Sequence, residues 1–348
     1  KLGRKMSKSL GNSPDPIELI AKYGADGVRM GMLLASPAGN DLPFDEMYCE
    51  QGRNFSNKIW NALRLLKSQR VEDIPQSESS RLAGEWMKNK MNDTLGLLDD
   101  DFSKYRLSEA LMRVYKFVWD DFCSWYLEII KPAYQMPMDK TTYETALGIF
   151  EDLMKILHPF MPFVSEEIYH LIRERGEKDF VMLSEMPACG VVDKKLLEDF
   201  EFVQELVVGI RTIRNEKNIS QKTALEVYYA RSAGADVVAK YSEMIIKLCN
   251  LKTLSACSQK VDKAIAKMVR TMEIFVPLAD SINKEEEVKK IMADIKYFEG
   301  FKASVEKKLS NESFVGKAPQ KVVDMERKKL QDATQKLVVL HEQLEALN

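Results

Sequence analysis

The sequence predicts a mainly α fold: a helix bundle, a small α+β module and a C-terminal antiparallel coiled-coil hairpin. Three observations lead there. Apolar residues recur at threes and fours from about Cys49 to Arg175, the period of helices packed side by side. Two β-type runs then flank a helical one between Ala224 and Leu278. A heptad occupies the last segment, broken once by a short turn. The expected divisions are 1–46, 47–195, 196–281 and 282–348.

The elements follow in order. Ser13-Pro14-Asp15-Pro16-Ile17-Glu18 is a helix start. Asp15 can cap, Pro16 suits the first helical position, and Glu18 completes a capping-box pattern. That helix should stop near Gly24. A second, through Val28, Met32 and Leu33, should end at Ser36-Pro37. In the bundle, Phe55, Ile59, Leu63 and Leu66 form one stripe, Leu107 to Trp125 a second, and Leu147, Phe150, Leu153 and Leu157 a third. Pro159 and Pro162 break the chain before a helix through Val164, Ile168 and Leu171. Loops are expected at Ile74–Ser77 and Met136–Asp139. Trp60, Trp86, Trp119 and Trp125 sit mostly at apolar helical positions and are expected in the core.

A helix from Leu196 to about Glu216 leads into the module, with strands at Ala224–Tyr229 and Glu273–Leu278 and a helix over Val237–Leu248. The hairpin's first arm carries Val288, Ile291, Ile295, Phe298, Val305 and Leu309, with Lys302 as a polar interruption that can set register. The second carries Val323, Leu330, Ala333, Leu337, Leu340, Leu344 and Leu347. At about 1.5 Å per residue each arm is roughly 40 Å long.

Lys and Arg total 51 against 53 Asp and Glu, so the formal net charge is −2. Global charge therefore attracts no nucleic acid, and any such binding must use local basic patches. No apolar run approaches the roughly 18 residues of a membrane span. The five cysteines, Cys49, Cys123, Cys189, Cys249 and Cys257, form no CxxC pair, and the three histidines lack ligand spacing. Neither a metal site nor a disulfide framework is expected, and the thiols suit a reducing, cytoplasmic setting.

Lys5-Met6-Ser7-Lys8-Ser9-Leu10-Gly11-Asn12, followed by Asp15-Pro16 and Leu19-Ile20, resembles the second signature of the class I aminoacyl-tRNA synthetases. Gly24–Arg29, Ser36–Glu46 and Gly52–Asn61 resemble the branched-aliphatic subgroup, and Leu157–Phe163 a stretch of its anticodon-binding bundle. Leu309–Pro319 with Val322-Val323 and Glu326-Arg327 is similar to the C-terminal arm of the valyl-tRNA synthetase family. Departures are Gly27 where Ala is usual, Tyr169 where Trp is common and Gln221 where Pro often follows Asn-x-Ser.

The resemblance implies a KMSKS loop at the tail of a catalytic domain, an anticodon-binding bundle, a connecting module and a tRNA-binding arm. It implies an enzyme that attaches valine to tRNA-Val with ATP and Mg2+ through valyl-adenylate, working as a monomer. Lys8 becomes the principal phosphate contact and Lys5 an auxiliary, with Met6, Ser7 and Ser9 completing the ATP loop. No HIGH-like histidine pair and no nucleotide-binding βαβ alternation are legible. The chain is therefore expected to be a C-terminal portion, inactive alone and without tightly bound ATP. Arg211, Arg214 and Asn218, three and four apart, make a candidate phosphate-facing stripe for tRNA. Two other readings stay open: an isoleucyl or leucyl member of the class, and a noncatalytic helical scaffold whose coiled coil pairs proteins.

Overall fold

The computed structural model describes residues 6–7, 13–36, 44–261, 264–277, 284–310 and 320–347. Helix α1 (Pro16–Tyr23) starts as expected: Asp15 is extended and its carboxylate accepts from the Ile17 N–H at 2.7 Å, with Pro16 at the first position. Gly24, at φ 77°, ends α1 and opens α2 (Ala25–Leu34) as the one residue between them. Helix α3 (Glu46–Lys67) is capped by Asp45, which accepts from the Met47 N–H at 3.0 Å. Helices α2 and α3 meet backbone to backbone. A Cβ on Gly31 would stand 2.6 Å from Cys49 Sγ, and one on Gly52 2.7 Å from the Gly27 carbonyl oxygen. A Cβ on Gly27 would lie 3.1 Å from the Cys49 carbonyl oxygen, so the departure from alanine there relieves a tight contact.

Ser77 caps α4 (Glu78–Ser103), accepting from the Ser80 N–H at 3.1 Å. Helix α5 (Leu107–Lys116) runs without a break into a π-helical stretch, Phe117–Tyr126, and then α6 (Leu127–Ile130). Buried Phe117-Val118, Phe122-Cys123 and Leu127 recur every five residues. That spacing would drift round an α-helix, and the wider i to i+5 turn keeps it facing the core. Asp139 caps α7 (Lys140–Leu157), and Pro162 opens α8 (Pro162–Ile172). A short parallel pair joins β1 (Val71–Glu72), just before the expected Ile74–Ser77 loop, to β2 (Met138–Asp139), inside the expected Met136–Asp139 loop.

Helix α9 (Lys194–Glu216) leads into a four-stranded sheet of order β4-β3-β6-β5. Its strands are β3 (Leu225–Ala230), β4 (Leu251–Cys257), β5 (Ala264–Val269) and β6 (Met272–Pro277). The inner strands β3 and β6 are those expected from sequence, and the edge strands are additions. The single expected helix is two, α10 (Ala235–Lys240) and α11 (Ser242–Cys249), parted at buried Tyr241. One hydrophobic cluster runs from Met30 to Val276, and Trp86 stacks on Phe200 with ring centroids 3.9 Å apart. Bundle and module therefore share a core.

The hairpin is α12 (Lys284–Leu309) and α13 (Gln320–Leu347). Lys308, at the end of the first helix, faces Glu326 near the start of the second at 4.0 Å, which makes the pair antiparallel. Ile295, Val305, Val323 and Ala333 are buried in its seam. Glu326, between Val323 and Leu330, also occupies a seam position and is buried, held by Lys329 at 2.8 Å. A carboxylate in an apolar seam penalises every register that would leave it without its lysines.

Candidate nucleic-acid interface

Of the expected ATP loop, Met6 and Ser7 are described, Met6 as exposed, while Lys5, Lys8 and Ser9 lie outside the described residues.

The expected tRNA stripe on α9 is corrected. Arg214 is 0% exposed. Its Nη1 donates to the Ser220 carbonyl at 3.0 Å, and its Nη2 to the carbonyls of Cys249 at 2.7 Å and Asn250 at 2.9 Å. Arg211 donates to the Leu248 carbonyl at 3.0 Å and lies over the Trp125 ring. Both guanidiniums thus serve the C-terminal end of α11, where carbonyls without helical partners carry the negative end of the helix dipole. Burial pushes the Arg214 guanidinium down from the usual arginine range. Asn218 is exposed but stands beyond the end of α9 at φ 51°, off the helix face. The three residues form no common phosphate-facing row.

A different surface has the chemistry that α9 lacks. The core stripe of α3 is Phe55, Ile59, Ala62, Leu63 and Leu66. Round the helix from it, Asn57, Trp60, Asn61 and Arg64 are exposed at spacings of three and four, with Trp60 38% accessible. Trp60 was expected in the core. It is one helical step from Ile59, and that 100° rotation carries it out. Beside this row, Met47, Tyr48, Glu50, Gln51, Asn54, Tyr115 and Trp119 line a cleft of about 330 Å³. Tyr115 and Trp119 stack at 5.5 Å, and Lys58 Nζ lies 5.2 Å from the Trp119 ring centroid. An exposed indole among amides and a guanidinium, next to an aromatic cleft with a cation at its wall, can stack unpaired bases and hold their backbone.

Behind that surface, two stretches far apart in sequence come together. Asp26 of α2 is 6% exposed, and its carboxylate accepts from the Phe163 N–H at 3.3 Å and the Val164 N–H at 2.6 Å. Helix α8 begins after Met161 with no side-chain cap of its own, so Asp26 caps it from 138 residues away. Arg29 donates through Nε to the Phe160 carbonyl and through Nη2 to the Pro159 carbonyl, both at 3.1 Å. Burial raises the Asp26 carboxyl, and the two N–H donors oppose that rise. His158 Nδ1 lies 2.8 Å from Ser165 Oγ, and burial lowers the imidazole.

Three family profiles match the chain. One for class I tRNA synthetases (I, L, M and V) covers 1–45, one for the anticodon-binding domain of tRNA ligase covers 84–229, and one for the valyl tRNA synthetase tRNA binding arm covers 283–348. The valine–tRNA ligase of Phocaeicola vulgatus is 55% identical over 347 residues, and that of Parabacteroides distasonis 53% over 352. Each alignment takes in 100% of this chain and 39% of the relative. The Fusobacterium nucleatum enzyme is 36% identical, with 97% of this chain aligned to 40% of that protein. The chain thus spans about two fifths of the length of these relatives. Among solved structures, a ternary LeuRS–tRNA–LeuAMS complex from Agrobacterium radiobacter matches 76% of this chain and 29% of that one, at TM-score 0.40 and 16% identity.

Proposed function

The chain belongs to the valine–tRNA ligase family, and on that premise we propose that it is the tRNA-holding region of an enzyme joining valine to tRNA-Val. Such an enzyme consumes ATP with its Mg2+, releases diphosphate and AMP, and passes through valyl-adenylate. Lys8 and Lys5 contact the ATP phosphates, with Met6, Ser7 and Ser9 completing the loop. Their chemistry suits the task, because charge builds on the α-phosphate and the departing diphosphate as the carboxylate attacks. Mobile ammonium groups stabilise that state more than the ground state. Lysine suits a loop whose geometry changes during the reaction, since a compact charge needs no fixed fork.

Transfer RNA lies along the outer face of α3, with Trp60 stacking on an unpaired base and Arg64 on the phosphate backbone. The hairpin lies on a second part of the same RNA, through exposed Lys296, Lys307 and Lys328. The free thiols, four of them buried or half-buried, fit a cytoplasmic enzyme, and we take it to act as a monomer. The observation that carries the reading is the exposed Trp60 row. Trp60→Ala is expected to weaken tRNA-Val binding by about 1–3 kcal/mol, roughly 5- to 150-fold, with an unchanged circular dichroism spectrum. Affinity within twofold of wild type would remove Trp60 from the interface.

A further inference from the structure

Helices α1 and α2 are separated only by Gly24, and Ser9 precedes α1 by seven residues. Helix α2 is pressed onto α3 through glycines that leave no room for a side chain. Helices α1 and α2 thus form one unit, which follows the ATP loop in the sequence and sits on α3 of the bundle. That unit meets the bundle a second time, at α8, through directional polar contacts. Asp26 takes two N–H groups at the start of α8, and Arg29 takes two carbonyls in the turn before it. Two donors and two acceptors gripped by opposite charges on one helix turn add direction to that packing and leave little freedom to rotate. The contacts also join the residues matched by the class I synthetase profile, 1–45, to those matched by the anticodon-binding profile, 84–229.

We infer that Asp26 and Arg29 are positioning residues: they set the angle between the α1–α2 unit, which follows the ATP loop in the chain, and the bundle that holds the RNA. The 3′ end of the bound tRNA then arrives in register with the activated amino acid. This rests on reading the chain as part of a valine–tRNA ligase. The joint acts on transfer to tRNA and has no part in forming the adenylate.

The test uses the full-length enzyme with Asp26→Asn and, separately, Arg29→Lys. Asparagine offers one acceptor where two N–H groups converge, and lysine reaches one carbonyl where arginine reaches two. Valine-dependent pyrophosphate exchange, which needs no tRNA, should stay within twofold of wild type, as should KM for tRNA-Val. The kcat of aminoacylation should fall about 10- to 100-fold, the scale of an ångström-level misplacement. Equal losses in exchange and aminoacylation would mean a merely structural role and overturn the inference. So would a raised KM at unchanged kcat, or wild-type behaviour in every assay. If Asp26→Asn does not fold, Arg29→Lys decides alone, since Arg29 is exposed. A wild-type enzyme that charged no tRNA-Val would overturn the reading beneath the inference, and the inference with it.

Discussion

Lys8→Ala in the full-length enzyme is expected to raise the barrier to adenylate formation by about 2–4 kcal/mol, roughly 30- to 1,000-fold in rate. The loss should be in kcat for pyrophosphate exchange. The ammonium group meets charge that exists mainly in the transition state, so the ground-state affinity for ATP should change less. Affinity for tRNA-Val should stay within twofold, because the proposed RNA surfaces lie on α3 and the hairpin. Arginine at this position should rescue only part of the rate, its planar fork being tuned to a fixed geometry. Exchange at the wild-type rate would show that Lys8 does not contact the reacting phosphates.

Arg214→Leu should cost about 3–5 kcal/mol of local stability. The wild-type guanidinium gives charge-assisted hydrogen bonds to three carbonyls and is shut off from water. Leucine fills part of the volume and takes this donor from the Cys249 carbonyl at the α11 C-terminus, while the Asn250 and Ser220 carbonyls keep only the N–H groups of Leu225 and Thr223. Hydrogen exchange should accelerate first in α11, in β4 and in the turn around Ser220. Arg211→Leu serves as the control. It removes one carbonyl contact and a ring contact from a half-buried site, and should cost about 1 kcal/mol. Protection in Arg214→Leu indistinguishable from wild type would contradict the structural role assigned here, and would return Arg214 to the RNA-binding candidates.

The bundle and hairpin were legible because their signals are local and periodic. Asp15-Pro16 before an apolar run marks a helix start whatever the chain folds against, and the heptad marks a two-helix seam. Edge strands were not legible for a physical reason. Strands β3 and β6 lie inside the sheet and are apolar enough to read, whereas β4 and β5 face water along one side and carry Lys252, Thr253 and Lys267. The Asp26 cap on α8 joins positions 138 residues apart, and no local pattern announces it.

Arg214 was misassigned on charge, although periodicity held the correction. It shares a helix face with buried Val203, Val207 and Ile210, and a cation on an apolar stripe is held by partners inside the protein. Trp60 was misassigned in the opposite sense, on apolarity, one step off the stripe of α3. In both cases position on the helix outweighed residue type. Glu326 was passed over because it breaks the apolar rule, although the heptad count between Val323 and Leu330 lands on it.

The measurement that bears most directly on the central proposal is equilibrium binding of the 348-residue chain to tRNA-Val and tRNA-Ile across a salt series, with and without residues 284–347. Preference for tRNA-Val is expected. Affinity should fall linearly with the logarithm of salt concentration, as phosphate contacts require, and removing the hairpin should weaken binding and flatten that slope. Equal affinity for the two tRNAs, or no binding to either at low salt, would contradict the assignment of this region as the part that holds tRNA-Val.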